Sequence, residues 1–210
     1  MSAGSPASLH ARWHAGWEAL GAAPPHALLD ALLARYREPQ RAYHTLEHLG
    51  ECFAALDALR AECLRPAEVE LALWFHDAIY DTRRSDNEAL SAEWAQRALT
   101  DGGAPREVCA RVSELVLATR HDAAPDGLDA QLLVDVDLGI LGADAVRFDS
   151  YERQVRIEYG WVADDAFRAG RTRVLRSFLE RPAIYATPRV HAEREARARE
   201  NLARSLAKLR

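Results

Sequence analysis

At 210 residues, with 28% charged and 49% hydrophobic side chains and a net charge of -5, the chain has the balance of an ordinary soluble protein with one well-filled core. The acidic excess gives no electrostatic support for an extended nucleic-acid surface or an anionic membrane, and no apolar run reaches the ~18 residues that a membrane span needs. Three irregularly spaced cysteines, Cys52, Cys63 and Cys109, argue against a disulfide framework, and no leader pattern is seen, so small buried thiols in a cytoplasmic protein are the expectation.

Residues 1–8 are small and are expected to be flexible. Leu9, Trp13, Trp17 and Leu20 then recur at helical spacing, which predicts a first helix with an aromatic stripe turned into the core. Pro24-Pro25 opens a second helix through Leu28, Leu29, Leu32 and Leu33 to about Tyr36, and Glu38-Pro39 stops it. Residues 40–48 lead into an amphipathic helix carrying Leu49, Cys52, Phe53, Leu56 and Leu59. Pro66 starts a largely buried helix through Val69 and Leu71 to Phe75, which is expected to continue through His76-Asp77 toward Asp81.

Asn87 to Leu99 is a further helix, ended by Asp101-Gly102-Gly103, and Pro105 starts another that ends at Thr119 to Asp122. Residues 128–141 read as an apolar helix interrupted by Asp135 and Asp137. Ala145 to Tyr159 and Asp164 to Phe178 are amphipathic, and His191 to Leu209 is a charged helix expected to present a solvated face. No alternating strand pattern appears. The chain therefore reads as all-α, a single helical domain over residues 9–210 with a C-terminal helical extension.

Polar ligand types interrupt three of these apolar segments. In YHTLEH, His44 and His48 stand one helical turn apart and share a face if the helix has already begun. In LALWFHDAIYD, His76-Asp77 sets a nitrogen ligand beside an anionic oxygen ligand, and burial of Asp77 demands hydrogen bonds or a cation. Asp81 lies four residues further on. In VDVDLGILG, Asp135 and Asp137 cannot point the same way; Asp137, between Val136 and Leu138, is the preferred ligand and Asp135 the alternative.

The order His48, His76-Asp77, Asp137 resembles the H...HD...D signature of the HD-domain superfamily of metal-dependent phosphohydrolases. The segments RAYHTLEH, ALWFHDAIYD, SDNEALSAEWA and DVDLGILG, spanning about residues 41–142, are similar to a bacterial group of that superfamily described as predicted phosphohydrolases. The resemblance implies an HD-type helical domain in which His48, His76, Asp77 and Asp137 hold a divalent transition metal: Mn, Fe, Co, Ni or Zn, with Mg also possible. It makes His44 the candidate acid, by similarity to the YHN...H element of cyclic-nucleotide phosphodiesterases, although Thr45 stands where those enzymes have asparagine.

Asp81 ends an HDxxxD arrangement similar to the HDxxED segment of guanosine tetraphosphate hydrolases and is the candidate to orient or deprotonate water. Arg41, Arg83, Arg84 and Arg120 are candidates to grip phosphate oxygens. His121 is a candidate substrate or second-metal ligand, and Glu88 a candidate partner of a ligand ring or metal-bound water. The implied activity is hydrolysis of a small, nucleotide-like phosphoester. The same scaffold also accommodates di-iron oxygen chemistry, and a non-catalytic metal-binding or structural protein is the third alternative.

Overall fold

The computed structural model describes residues 6–209, and within them every regular element is helical. Ten α-helices follow in order: α1 Pro6–Ala19, α2 Leu28–Arg35, α3 Leu46–Leu59, α4 Pro66–Phe75, α5 Asn87–Asp101, α6 Arg106–Ala118, α7 Leu128–Asp137, α8 Ala145–Glu158, α9 Asp164–Leu179 and α10 Pro188–Lys208. Short 3-10 turns cover Arg60–Glu62 and Leu138–Gly142. The all-α expectation holds. α1 begins at Pro6, inside the stretch expected to be flexible, whose first five residues lie outside the described ones. No helix among the described residues is long and apolar enough to cross a membrane.

The chain divides into two compact units, Met1–Val134 and Asp135–Arg210, with the boundary inside α7. Unit 1 is built around α4, which packs against α1, α3, α5 and α6. Glu68 through Phe75 are all buried, as a helix surrounded by neighbours requires. Its two glutamates are there because each has a cation: Arg111 grips Glu68 with two hydrogen bonds of 2.6 and 2.7 Å, and Arg60 and Arg12 lie 2.5 and 3.2 Å from Glu70. Breaking such a pair leaves a buried charge without compensation.

The aromatic stripe of α1 packs as its spacing predicts. Trp13 meets Trp17, Trp74 and Phe75 with ring centroids 5.4, 5.2 and 6.3 Å apart, and Phe53 of α3 meets Trp74 at 4.9 Å. These rings fill the space on the α1 and α3 sides of α4.

Unit 2 buries Leu141, Phe148, Leu175, Tyr185 and Leu202, and polar side chains of α10 tie down the turn after α7. From α10, Arg194 donates to the Gly139 carbonyl, Arg197 to Gly142, and Asn201 to both Leu141 and Ala143. The 3-10 turn at Leu138–Gly142 packs against α8 and α10, and α9 packs against α10. Asp144 caps α8 by accepting from the Val146 and Arg147 amides. The charged face of α10 is thus partly spent on satisfying turn carbonyls, where a solvated face was expected.

Candidate metal centre

The ligand-bearing stretch departs from its expected conformation. α4 ends at Phe75, and His76-Asp77 lie in the turn that follows. Helix α3 begins only at Leu46, so His44 occupies the turn ahead of it and shares no helical face with His48. Thr45 explains this start: its hydroxyl caps α3 by accepting from the Glu47 amide at 3.3 Å, and its own extended backbone prevents helix upstream. His44 and His48 still come together, with ring centroids 5.9 Å apart.

Two turns are tied to each other by Arg41. Its side chain has no exposed surface; it donates to the carbonyls of His44 (3.2 Å), Asp77 (2.6 Å) and Ala78 (3.2 Å) and pairs with Glu38 at 3.1 Å. The loop after Asp77 is held from the other side by α5. Asn87 accepts from the Asp81 amide and donates to the Asp81 carbonyl, and Ser91 does the same for Ile79. The SDNEALSA segment therefore fixes the backbone that carries the histidine-aspartate pair.

At the centre, Nε2 of His48 lies 3.1 Å from Nε2 of His76. Both residues are buried, at 2% and 1% exposure. Nδ1 of His76 donates to the Leu73 carbonyl at 2.8 Å, which turns Nε2 toward the other side chains. Oδ2 of Asp77 is buried 3.0 Å from Nε2 of His76 and 3.5 Å from Nε2 of His48, yet no approach to it has hydrogen-bond geometry. Burial by itself would raise the Asp77 carboxyl; the imidazoles of His76 and His44, with the His48 contact, outweigh it and hold the group well below its usual range. The result is two imidazole nitrogens and one carboxylate oxygen converging on a single point.

Those separations fit a shared cation. Donors ~2.0–2.1 Å from one ion are ~3.0 Å apart at octahedral and ~3.4 Å apart at tetrahedral angles. Cys52, one turn beyond His48 on α3 and buried, lies beside the two imidazoles: its Sγ and the donor nitrogens of His48 and His76 are within 4.8 Å of one another. The buried His48, Cys52 and His76 form a potential metal-binding cluster. Sequence reasoning passed over Cys52 as a small hydrophobe, although its spacing of four from His48 was a visible signal.

The remaining site residues are placed as follows. His44 is half-buried and stacks on Tyr80, centroids 3.9 Å apart and planes 27° from parallel. Asp81 is exposed, its Oδ1 accepting from the Arg83 amide at 2.9 Å. Arg84 forks onto Asp86 at 2.7 and 2.8 Å, and Arg120 pairs with Asp122 at 3.2 Å, both on the surface. His121 is half-buried after α6 with φ 57, in the left-handed region, and Glu88 lies half-buried in the first turn of α5.

In unit 2, Asp137 is half-buried at the end of α7. Asp135 is buried and engaged: it accepts from the Ala186 and Thr187 amides and the Thr187 hydroxyl at 2.6–2.8 Å, serving the start of α10. Elsewhere in unit 1, a cleft of about 370 Å³ is lined by Leu64, Arg65, Arg111, Leu115 and Leu128 among others, with none of the sequence-predicted site residues in its wall. Comparison of the chain with protein-family models, with curated proteins and with solved structures finds no match, and the donor cluster itself is what the functional reading rests on.

Proposed function

We propose that the chain is a metal-dependent phosphohydrolase of HD type, acting on a phosphoester of a small nucleotide or related metabolite. The observation that carries this reading is the convergence of His48 Nε2, His76 Nε2 and Asp77 Oδ2 at 3.0–3.5 Å, with the carboxylate oxygen buried and outside hydrogen-bond geometry. Asp137 is the fourth ligand that the sequence pattern supplies. A divalent ion held by these residues would lower the pKa of a bound water and offset charge on phosphoryl oxygens.

The protein's own groups have separate tasks. His76, locked by the Leu73 carbonyl, offers Nε2 and keeps its proton on Nδ1. His44, held against Tyr80 beside this centre, donates an imidazole N–H proton to the leaving oxygen. Arg41 holds the two ligand turns in register, and Arg83, Arg84, Arg120 and His121 are the groups proposed to meet the phosphate and its substituent. Asp81 is proposed to orient water, a role that its exposed position beside Arg83 leaves to be tested by Asp81→Asn.

Protein purified without chelator is expected to carry one or two transition-metal ions per chain, measured by plasma mass spectrometry. His76→Ala and Asp77→Asn should lose them while circular dichroism stays helical. Phosphate release from a nucleotide panel should follow the metal and fall at least ~100-fold in His44→Gln with metal retained, the size of a general-acid contribution. Ferrous-dependent oxygen uptake without phosphate release would replace hydrolysis by the oxygenase reading. Metal at background level under Mn, Fe, Co and Zn supplementation would remove both.

A further inference from the structure

Cys52 is the one thiol beside the two imidazole donors of this centre among the described residues. Its Sγ lies 3.7 Å from Nε2 and 3.8 Å from Nδ1 of His48, inside the buried cluster that contains His76. Nitrogen and sulfur donors at ~2.0–2.1 and ~2.3 Å from one zinc ion are ~3.5 Å apart at tetrahedral angles; Sγ is at nearly that distance from Nε2 but equally far from Nδ1, so a rotation of the Cys52 side chain toward the Nε2 edge would bring it to an ion held there. The other two thiols are differently used: Cys63 lies 3.8 Å from the Leu59 carbonyl, and Cys109 lies 3.6 Å from the Ala104 carbonyl and 3.8 Å from the Thr100 hydroxyl.

We infer that Cys52 is a thiolate ligand of the metal centre, giving it a mixed nitrogen, oxygen and sulfur donor set that selects thiophilic divalent ions such as Zn(II) and Co(II) over Mg(II) and Mn(II). The inference rests on the metal reading above and deepens it. The helix supplies the geometry, because His48 and Cys52 are one turn apart on the buried face of α3. On binding, the Sγ–H bond breaks, the proton leaves to solvent and a sulfur-metal bond forms, with no change of oxidation state. Soft sulfur then contributes selectivity that imidazole and carboxylate alone do not.

The test uses the full chain loaded with Zn(II) or Co(II). Zinc-edge X-ray absorption should show a sulfur shell at ~2.3 Å beside the nitrogen and oxygen shell at ~2.0–2.1 Å. The cobalt form should show a sulfur-to-metal charge-transfer band in the near ultraviolet. Both signals should vanish in Cys52→Ser and persist in Cys63→Ser and Cys109→Ser. The preference for Zn(II) over Mn(II), from competition with a chelator, should fall at least ~10-fold in Cys52→Ser, the lower bound of what losing even an outer partner of a ligand costs. Stoichiometric zinc without a sulfur shell in the wild-type protein would overturn the inference while leaving the metal reading intact, and so would a shell that survives in Cys52→Ser. Zinc that stays bound in His76→Ala would instead strike at the metal reading.

Discussion

Arg41 illustrates how a residue type admits several roles until its surroundings are known. Its guanidinium is a chemically sound phosphate clamp, but in the fold it is buried and spent on the carbonyls of His44, Asp77 and Ala78. A buried carbonyl left without its donor costs ~1–3 kcal/mol, so Arg41→Leu should lower the unfolding free energy in urea by roughly 2–4 kcal/mol. Arg41→Lys keeps the charge but not the planar fork and should recover only part of that loss. Chelator competition should show weaker metal binding in both, because His44 and Asp77 are held through their backbones. Asp135 makes the same point in unit 2: its three accepted hydrogen bonds serve the start of α10, and Asp135→Ala should cost ~1–3 kcal/mol in urea unfolding.

Among the elements, α4 is the frame for the site, and its burial on every side explains why its end matters more than its length. The run of apolar residues predicts a helix well enough, yet periodicity does not register where the backbone turns out of it. Close packing of the end of α5 on α1 and the segment after it depends on Gly102, where an added Cβ would lie 2.4 Å from the Trp17 ring and 2.5 Å from the Ala23 carbonyl. Gly102→Ala should therefore lower stability by ~1–3 kcal/mol, read as a drop in the thermal midpoint, since neither the packed indole nor the backbone can yield freely. On α10, Asn201→Leu should cost a similar ~1–3 kcal/mol, because the Leu141 and Ala143 carbonyls both lose their donor.

Across the whole molecule, acidic residues outnumber basic ones in unit 1 and the reverse holds in unit 2. A unit with excess acid around converging imidazoles favours a cation, and the bound cation then supplies the attraction for an anionic substrate. In unit 2, Asp149 of α8 pairs with Arg204 and Lys208 of α10 at 3.0 and 3.2 Å, and these hydrogen bonds lower its carboxyl pKa. Its contribution is present above the unfolded value of ~3.9 and is lost as pH falls through the lower folded value. About a third of the Asp149 side chain is exposed, so screening limits the effect to ~0.5 kcal/mol. Urea unfolding of Asp149→Asn should differ from wild type by about that much at a pH above the unfolded value and converge with it once pH has fallen below the folded value, and the difference should shrink in high salt.

The sequence by itself determined the helices, because apolar spacing records which face of each segment is buried, and that signal is local. It also marked His48, His76 and Asp77 as residues whose chemistry conflicts with their apolar neighbours. Tertiary structure decided that His76-Asp77 sits in a turn after α4 and His44 in a turn before α3, that Cys52 lies beside the imidazole donors, and that Arg41 and the arginines of α10 bind backbone carbonyls. Apart from the local Thr45 cap that starts α3, those outcomes depend on contacts between residues far apart in the chain. Spacing along a helix sets the direction of a side chain, but the partner that it meets is fixed only when the helices pack.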